Sequence, residues 1–305
     1  MVYQVKRDFR GYGARTPDPR WPGGARVAVN FVINYEEGSE PSIGDGDGAT
    51  ETGVSDASGP GRGIQGRDLA AEGMFEYGSR AGFWRLMRIF AERGVKPTIF
   101  ACALALERNP AAAQAIREAG LDICCHGWRW ENHFLLTEAV ERERIARAVA
   151  SLEQTLGRRP EGWYCRYSPS ENTRRLVAEH GGFLYDSDSY ADDLPFWTDV
   201  DGKGHLVVPY SLTTNDGKMQ GALASPRAWA EFLCDGFDLL RREGEAGAPK
   251  MMSVGLHMRM IGHAARAPGL ERFLDHVLAA GDAAWIAPRA AIARHWAKTH
   301  PYTGA

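Results

Sequence analysis

The chain has 305 residues, 44% of them apolar and 25% charged. These are globular proportions, and they exclude a disordered chain, a coiled coil and a collagen-like repeat. Lys and Arg number 36 against 39 Asp and Glu, a net charge of −3, so no basic excess exists to neutralise phosphates and nucleic acid is not an expected partner. No apolar run approaches the ~18 residues that span a bilayer, and the opening MVYQVKRDFRGYG lacks the apolar core of a secretion signal. Five cysteines, none in a C-x-x-C pair, are expected to be buried free thiols of a cytoplasmic protein.

Short β-rich runs alternate with helical patterns along the sequence. A strand is predicted at 26–34. The stretch 38–67 follows, rich in Gly, Asp, Ser and Thr and without periodicity; it reads as a solvated loop or, failing that, a lid. Its DGDG run lacks the Gly and the closing Glu of an EF-hand. Gly44-x-Gly46-x-x-Ala49 is not set between a strand and a helix, as a dinucleotide-binding turn must be. Phe83, Met87 and Phe90 mark a helix stopped by Gly94, and a strand is predicted at 97–103. Asn109-Pro110 opens a helix with a capping side chain and a Pro at the first helical position. After a strand at 121–126, Thr137 opens a helix whose Ile145, Val149, Leu152 and Leu156 keep the 3.6 period until Gly157. A strand at 163–167 precedes a helix capped by Ser170 and ended by Gly181-Gly182. Strands at 183–188 and 205–210 lead to a helix opened by Ser225-Pro226. A strand at 250–257, a helix at 268–280, a strand at 284–287 and a helix at 289–298 complete the chain. Most of these strands are near-continuous apolar runs, as in sheets covered on both faces. The alternation predicts an α/β fold with a parallel sheet or barrel, built as a single domain over 1–305.

Five predicted strands carry ionisable groups at their C-terminal ends: Asn34-Tyr35-Glu36-Glu37-Gly38, Cys125-His126-Gly127-Trp128, Arg166-Tyr167, Asp186-Ser187-Asp188 and Gly255-Leu256-His257. In barrels that rim carries the active site. Neighbours on an extended strand point to opposite sides, so one of Glu36 and Glu37 faces a pocket. That carboxylate suits general-base work. A His on another strand can donate a proton or meet an oxyanion, and an Arg can hold a carboxylate ionised. By the same alternation Cys125, beside His126, reads as a core thiol. The set suits attack of water on a carbonyl, that is, amide or ester hydrolysis.

The segments FVINYEEG, MFEYGSRAGFWRL, CHGWRW, PSENTRRL, GGFLYDSDSYADDLPFW, LVVPYSLTTND and SVGLHMR resemble the polysaccharide deacetylase superfamily. The nearer resemblance is to its branch of metal-independent allantoinases and cyclic imide hydrolases. It covers almost the whole chain and implies a distorted (β/α) barrel. In the wider family the first motif reads Thr-Phe-Asp-Asp, a general base followed by a metal ligand; these positions are Glu36 and Glu37. A second motif supplies two metal-binding His four residues apart. The first is His126, but Trp130 stands in the place of the second, which implies an enzyme without a catalytic metal or other cofactor. His133, seven residues on, is expected on the surface or in a substrate loop. The Arg that orients the base maps to Arg166, the catalytic His of the last motif to His257, and a family Asp to Asp186 or Asp188.

The resemblance thus implies Glu36, His257, His126 and Arg166 as catalytic residues. Tyr35, Glu37, Trp128, Trp130, Asp186 and Asp188 are implied to bind substrate, while Arg80 and Arg259 either touch substrate or form salt bridges. The implied reaction opens a small cyclic amide, allantoin or a cyclic imide, with a homo-oligomer such as a tetramer as the working form. Two other readings stay open: a metal-dependent deacetylase of N-acetylated sugars, and a ligand-binding barrel without chemistry.

Overall fold

The computed structural model describes residues 4–57, 64–166 and 168–304. Its frame is one curled nine-stranded sheet: β1 (Val27–Tyr35), β2 (Thr98–Ala101), β3 (Asp122–Cys125), β4 (Gly162–Trp163), β5 (Tyr185–Asp186), β6 (Phe196–Val200), β7 (Lys203–Val207), β8 (Lys250–His257) and β9 (Ala284–Ile286). The order across the sheet is β6-β7-β5-β4-β3-β2-β1-β8, and β9 pairs with the first residues of β1. All pairings are parallel except the β6–β7 hairpin. Beyond β8 the chain at Thr214 and Asn215 bonds to Gly255, which carries the curl toward closure. This is the distorted (β/α) barrel that the resemblance implies.

Helices pack outside the sheet: α1 (Leu69–Tyr77), α2 (Phe83–Glu92), α3 (Ala103–Arg108), α4 (Pro110–Glu118), α5 (Glu138–Leu156), α6 (Thr173–His180), α7 (Pro226–Glu245), α8 (Ala267–Ala279) and α9 (Arg289–Thr299). The capping residues act as the sequence predicts. Asn109 Oδ1 accepts from Ala112 N, Ser225 Oγ from Ala228 N, and Gly157 ends α5 at φ 69°. Ser170 accepts from the backbone N–H groups of Asn172 and Thr173, and lies three residues before Thr173, where the helix begins. No helix among the described residues is long and apolar enough to cross a membrane. All five cysteines are free thiols.

Several strands are shorter than their apolar runs. Residue 167 of the run 163–167 lies outside the described residues, and among the others only Trp163 pairs, in the strand Gly162–Trp163; the run 183–188 pairs only at Tyr185–Asp186. Burial sustains the apolar composition after the ladder has ended. The run 97–103 stops at Ala101 because Ala103 already starts α3. The run 205–210 is the second arm of a hairpin whose first arm, Phe196–Val200, the sequence reading missed.

β1 divides the core in two. Val27, Val29, Phe31, Ile33 and Tyr35 face the helices, while Ala28 and Val32 face the inside of the curl. Phe31 sits edge-on to Phe90 of α2 and Phe273 of α8, with centroids 5.5 and 5.9 Å away; burying such a ring stabilises the fold by roughly 1.5–3 kcal/mol. The inner face also holds a buried cation. Arg289 donates to Asn30 Oδ1, Ser253 Oγ, Ser187 Oγ and the carbonyls of Val208 and Pro209. It joins β1, β8 and the 187 and 208–209 segments from within.

Candidate active site

Strand alternation aims the end of β1. Asn34 and Glu36 continue the inner face and line a cavity of about 250 Å³ at the C-terminal rim of the sheet. Tyr35 points the other way. Its hydroxyl accepts from Asn109 Nδ2 at 2.9 Å and its ring stands edge-on to Phe83, so it packs the helical layer and does not line the cavity. Glu37 also leaves the cavity, passing under the π-helical turn Gly78–Gly82. A Cβ on Gly78 would lie 2.4 Å from Glu37 Oε1, so this close approach depends on glycine.

Two imidazoles converge on Glu36. His126, just past β3, directs Nε2 at Glu36 Oε1 at 3.2 Å. Its Nδ1 lies 3.0 Å from the carbonyl oxygen of Tyr164, which only accepts, so Nδ1 donates to it. His257, the last residue of β8, places Nε2 3.6 Å from the same Oε1. Behind it Asp216 Oδ1 lies 2.6 Å from His257 Nδ1, and Oδ2 accepts from the backbone N–H groups of His257 and Ile261. The other carboxylate oxygen, Glu36 Oε2, accepts from Arg259 Nη2 at 2.7 Å. Arg259 Nη1 reaches Glu37 Oε1 at 3.2 Å, and the Arg259 backbone N–H donates to the same oxygen.

These contacts set the charges. Burial works to raise the pKa of Glu36, but Arg259, His257 and the imidazole hydrogen bonds outweigh it and hold the acid well below its ordinary value. Burial raises Glu37, with Arg259 only partly opposing it. Burial would lower His257, yet Asp216 and then Glu36 raise it to about 9. At neutral pH the site therefore presents an ionised Glu36 facing a protonated His257.

The structure separates the other predicted residues. Trp130 lines the cavity; Trp128 does not, and carries the Arg147 guanidinium 3.7 Å above its ring. The expectation that Arg166 orients the base is corrected: Arg166 lies 3.7 Å over Trp130, donates to its carbonyl and pairs with Glu51 at 2.6 Å. The guanidinium on Glu36 belongs to Arg259, so Arg259 takes the salt-bridging alternative. Asp186 and Asp188 also miss the cavity. Asp186 binds Arg174 and His205. Asp188 accepts from Cys165 N, and burial with the nearby Asp186 pushes it up to about 8. His133, expected on a surface, is buried and pairs with Glu141 at 3.0 Å. Arg80 forms an exposed pair with Glu76. Cys125 is a core residue, as alternation predicts, its thiol raised to about 12 by burial.

The described part of 38–67 is partly packed and partly solvated: Ser39, Ser55 and Ala57 are buried, while 44–46, 48–49 and 64–67 are exposed; residues 58–63 lie outside the described residues. The acids of its DGDG run are ion-paired, Asp45 with Arg108 and Asp47 with Arg129, each at 2.5 Å. Glu51 meets Arg166, the Val54 carbonyl accepts from Arg259 Nε at 2.9 Å, and Val54 lines the cavity.

The donor set does not fit the divalent metal of the wider family. Glu37 is turned away and bound to Arg259. Trp130 offers an indole N–H with no lone pair. Among the described residues no three His, Cys, Asp or Glu side chains are placed to hold a metal ion.

Asp216 and Arg259 are the site residues that sequence reasoning missed or left unresolved. Both lie within quoted motifs, LVVPYSLTTND and SVGLHMR. Asp216 sits in a short 3-10 turn, Asp216–Lys218, and not at a strand end, so the strand-end argument passed over it.

Comparison with known proteins finds the same fold. Residues 70–185 match the model of the polysaccharide deacetylase family. A Schizosaccharomyces pombe protein described as a "Putative polysaccharide deacetylase" is 36% identical, over 97% of this chain and 98% of that one. The crystal structure of a "probable Polysaccharide deacetylase" from Pseudomonas aeruginosa PAO1 is 46% identical, with TM-score 0.92 over 98% of this chain and 100% of that one. That of PuuE allantoinase is 45% identical, with TM-score 0.91 over 99% of this chain and 100% of that one. A relative of this identity along nearly the full length, on the same curled sheet, places the chain in the polysaccharide deacetylase family.

Proposed function

We propose that the protein is a hydrolase that opens the C–N bond of a small cyclic amide, allantoin or a cyclic imide. The observation that carries this reading is Glu36 Oε1, held between two imidazoles at a cavity of about 250 Å³. A cavity of that size suits a small ring and is below the usual ~300–1,000 Å³ of drug-sized pockets. The likeness to PuuE allantoinase along the whole chain supports the same reaction class.

Water between Glu36 and the ring carbonyl gives its proton to Oε1 as its oxygen bonds to carbon. The oxyanion that forms is met by the Nε2–H of protonated His257. As the C–N bond breaks, that proton passes to the leaving nitrogen. The new carboxylic acid then returns a proton to His257 and leaves as carboxylate, and Glu36 releases its proton to solvent. A carboxylate with so depressed a pKa is a weak base, so it suits an activated imide or ureide carbonyl better than an unactivated acetamide.

The test is a substrate panel of allantoin, hydantoin, succinimide, glutarimide and an acetylated chito-oligomer, followed by proton release and product analysis on chelator-treated protein. Turnover of a ring amide is expected. Release of acetate alone, restored by added zinc, overturns the reading.

A further inference from the structure

Glu36 and Glu37 are adjacent in sequence and both buried. Two buried carboxylates this close ordinarily share a proton unless a cation lies between them. The Arg259 guanidinium fills that position. Nη2 holds Glu36 at 2.7 Å, Nη1 holds Glu37 at 3.2 Å, and Nε is fixed to the Val54 carbonyl at 2.9 Å. Its faces are packed as well, with Phe75 at 4.3 Å and Trp130 at 4.9 Å from the guanidinium carbon. A planar cation held along its edges and against two rings has one available pose.

We propose that Arg259, with the indole of Trp130, does in this site the work of a bound metal ion: it is the positioning residue that neutralises the Glu36–Glu37 pair and turns Glu36 Oε1 into the cavity. Glu36 Oε2 is taken by Nη2, so only Oε1 is left for the imidazoles and the attacking water. Trp130 stands where the resemblance places an imidazole, and its ring faces Arg166 at 3.7 Å as well as Arg259. An indole in place of an imidazole, and a guanidinium in place of a metal, are compatible changes: the ring that cannot ligate an ion can stack on a flat organic cation. This inference rests on the proposed hydrolysis for its kinetic arm and not for its binding arm.

The kinetic arm compares Arg259→Ala and Arg259→Lys with the native enzyme. Freed of its anchor, Glu36 loses its aim, and a misplacement on the order of 1 Å costs about 10²-fold. Arg259→Ala is expected to lose that factor in kcat with little change in KM, and to regain at least part of it with added guanidinium at sub-denaturing concentration but not with urea. Arg259→Lys keeps the charge but cannot span both carboxylates, so an intermediate kcat is expected; it also covers the case in which the Ala variant does not fold. Native turnover in either variant, or equal rescue by urea, overturns the proposal. The binding arm measures zinc by titration calorimetry. Trp130→His with Arg259→Ala is expected to take up about one zinc per chain and the native protein none. Stoichiometric zinc on the native protein, or no gain in the double variant, refutes the proposal even if no cyclic amide is turned over. The absence of turnover on the whole panel would instead remove the proposed function alone.

Discussion

Asp216→Asn isolates the electrostatic support of His257. Asp216 Oδ1 lies 2.6 Å from Nδ1 of the ring, and Asp216 is the largest influence raising His257 from 6.5 to about 9. That displacement corresponds to roughly 3 kcal/mol of preference for the imidazolium, taking ~1.4 kcal/mol per tenfold. The Asn side chain keeps its size, and its oxygen can still accept from the His257 and Ile261 N–H groups that Oδ2 serves now. Its NH₂ then faces Nδ1, which must become an acceptor, so the neutral ring carries its hydrogen on Nε2. The variant should keep an N–H toward the cavity but lose the positive charge. The expected result is a kcat/KM that falls by ~10²-fold or more at neutral pH, with its alkaline limb moved from about 9 toward neutrality. Stability should follow the same sign. A group whose folded pKa is raised stabilises the fold fully below its unfolded value of 6.5, and this contribution is lost as pH rises through about 9. Thermal melts at pH 6 should therefore separate the variant from the native protein by more than melts at pH 10. A pH–rate profile whose alkaline limb does not move in Asp216→Asn refutes the assignment of His257 as the protonated partner.

Glu36→Gln should lower turnover by ~10²–10⁴-fold with an unchanged circular dichroism spectrum, because the amide cannot take the water proton. Glu37→Gln should cost much less in steady-state assays, since Glu37 is outside the cavity; the reverse order would show that the carboxylates have been assigned the wrong way round. Arg289→Met should lower stability by about 3 kcal/mol in urea unfolding, by stranding Asn30, Ser253, Ser187 and two carbonyl oxygens inside the curl. A change below about 0.5 kcal/mol, the range of ordinary surface substitutions, would show that those groups find other partners.

The parts of the fold legible in the sequence are those where one local rule governs. β1 and β8 are covered on both faces and read as near-continuous apolar runs, and α4 and α7 begin at N-cap–Pro pairs. The hairpin was equally signalled, by Asp201-Gly202, both at positive φ, a pairing that favours a two-residue turn. Its first arm is harder to read because the adjacent Phe196 and Trp197 break the two-residue alternation of a half-buried strand. At the site, strand ends point to Glu36, His126 and His257, and the structure brings all three to one cavity. Strand ends also drew in Asp186 and Asp188, which serve a separate network with Arg174, His205 and Cys165. Only tertiary structure distinguishes the two groups. Which guanidinium meets Glu36 depends on the chain turning sharply after β8, where Gly82 and Gly262 both press on the Met258 carbonyl. No periodicity records that turn.

Arg289 bears on how the molecule is made. Its partners are residues 30, 187, 208, 209 and 253, and all of them leave the ribosome before it does. While a ribosome shields the last few tens of residues of a nascent chain, strands β1 to β8 can be synthesised and paired, but the interior acceptors remain without their donor. Closure of the curl then waits until Arg289 itself has emerged, and the nascent protein carries an open, strand-edged sheet until then, the state most exposed to aggregation and chaperone capture. A chain ending before α9 would remain in that state.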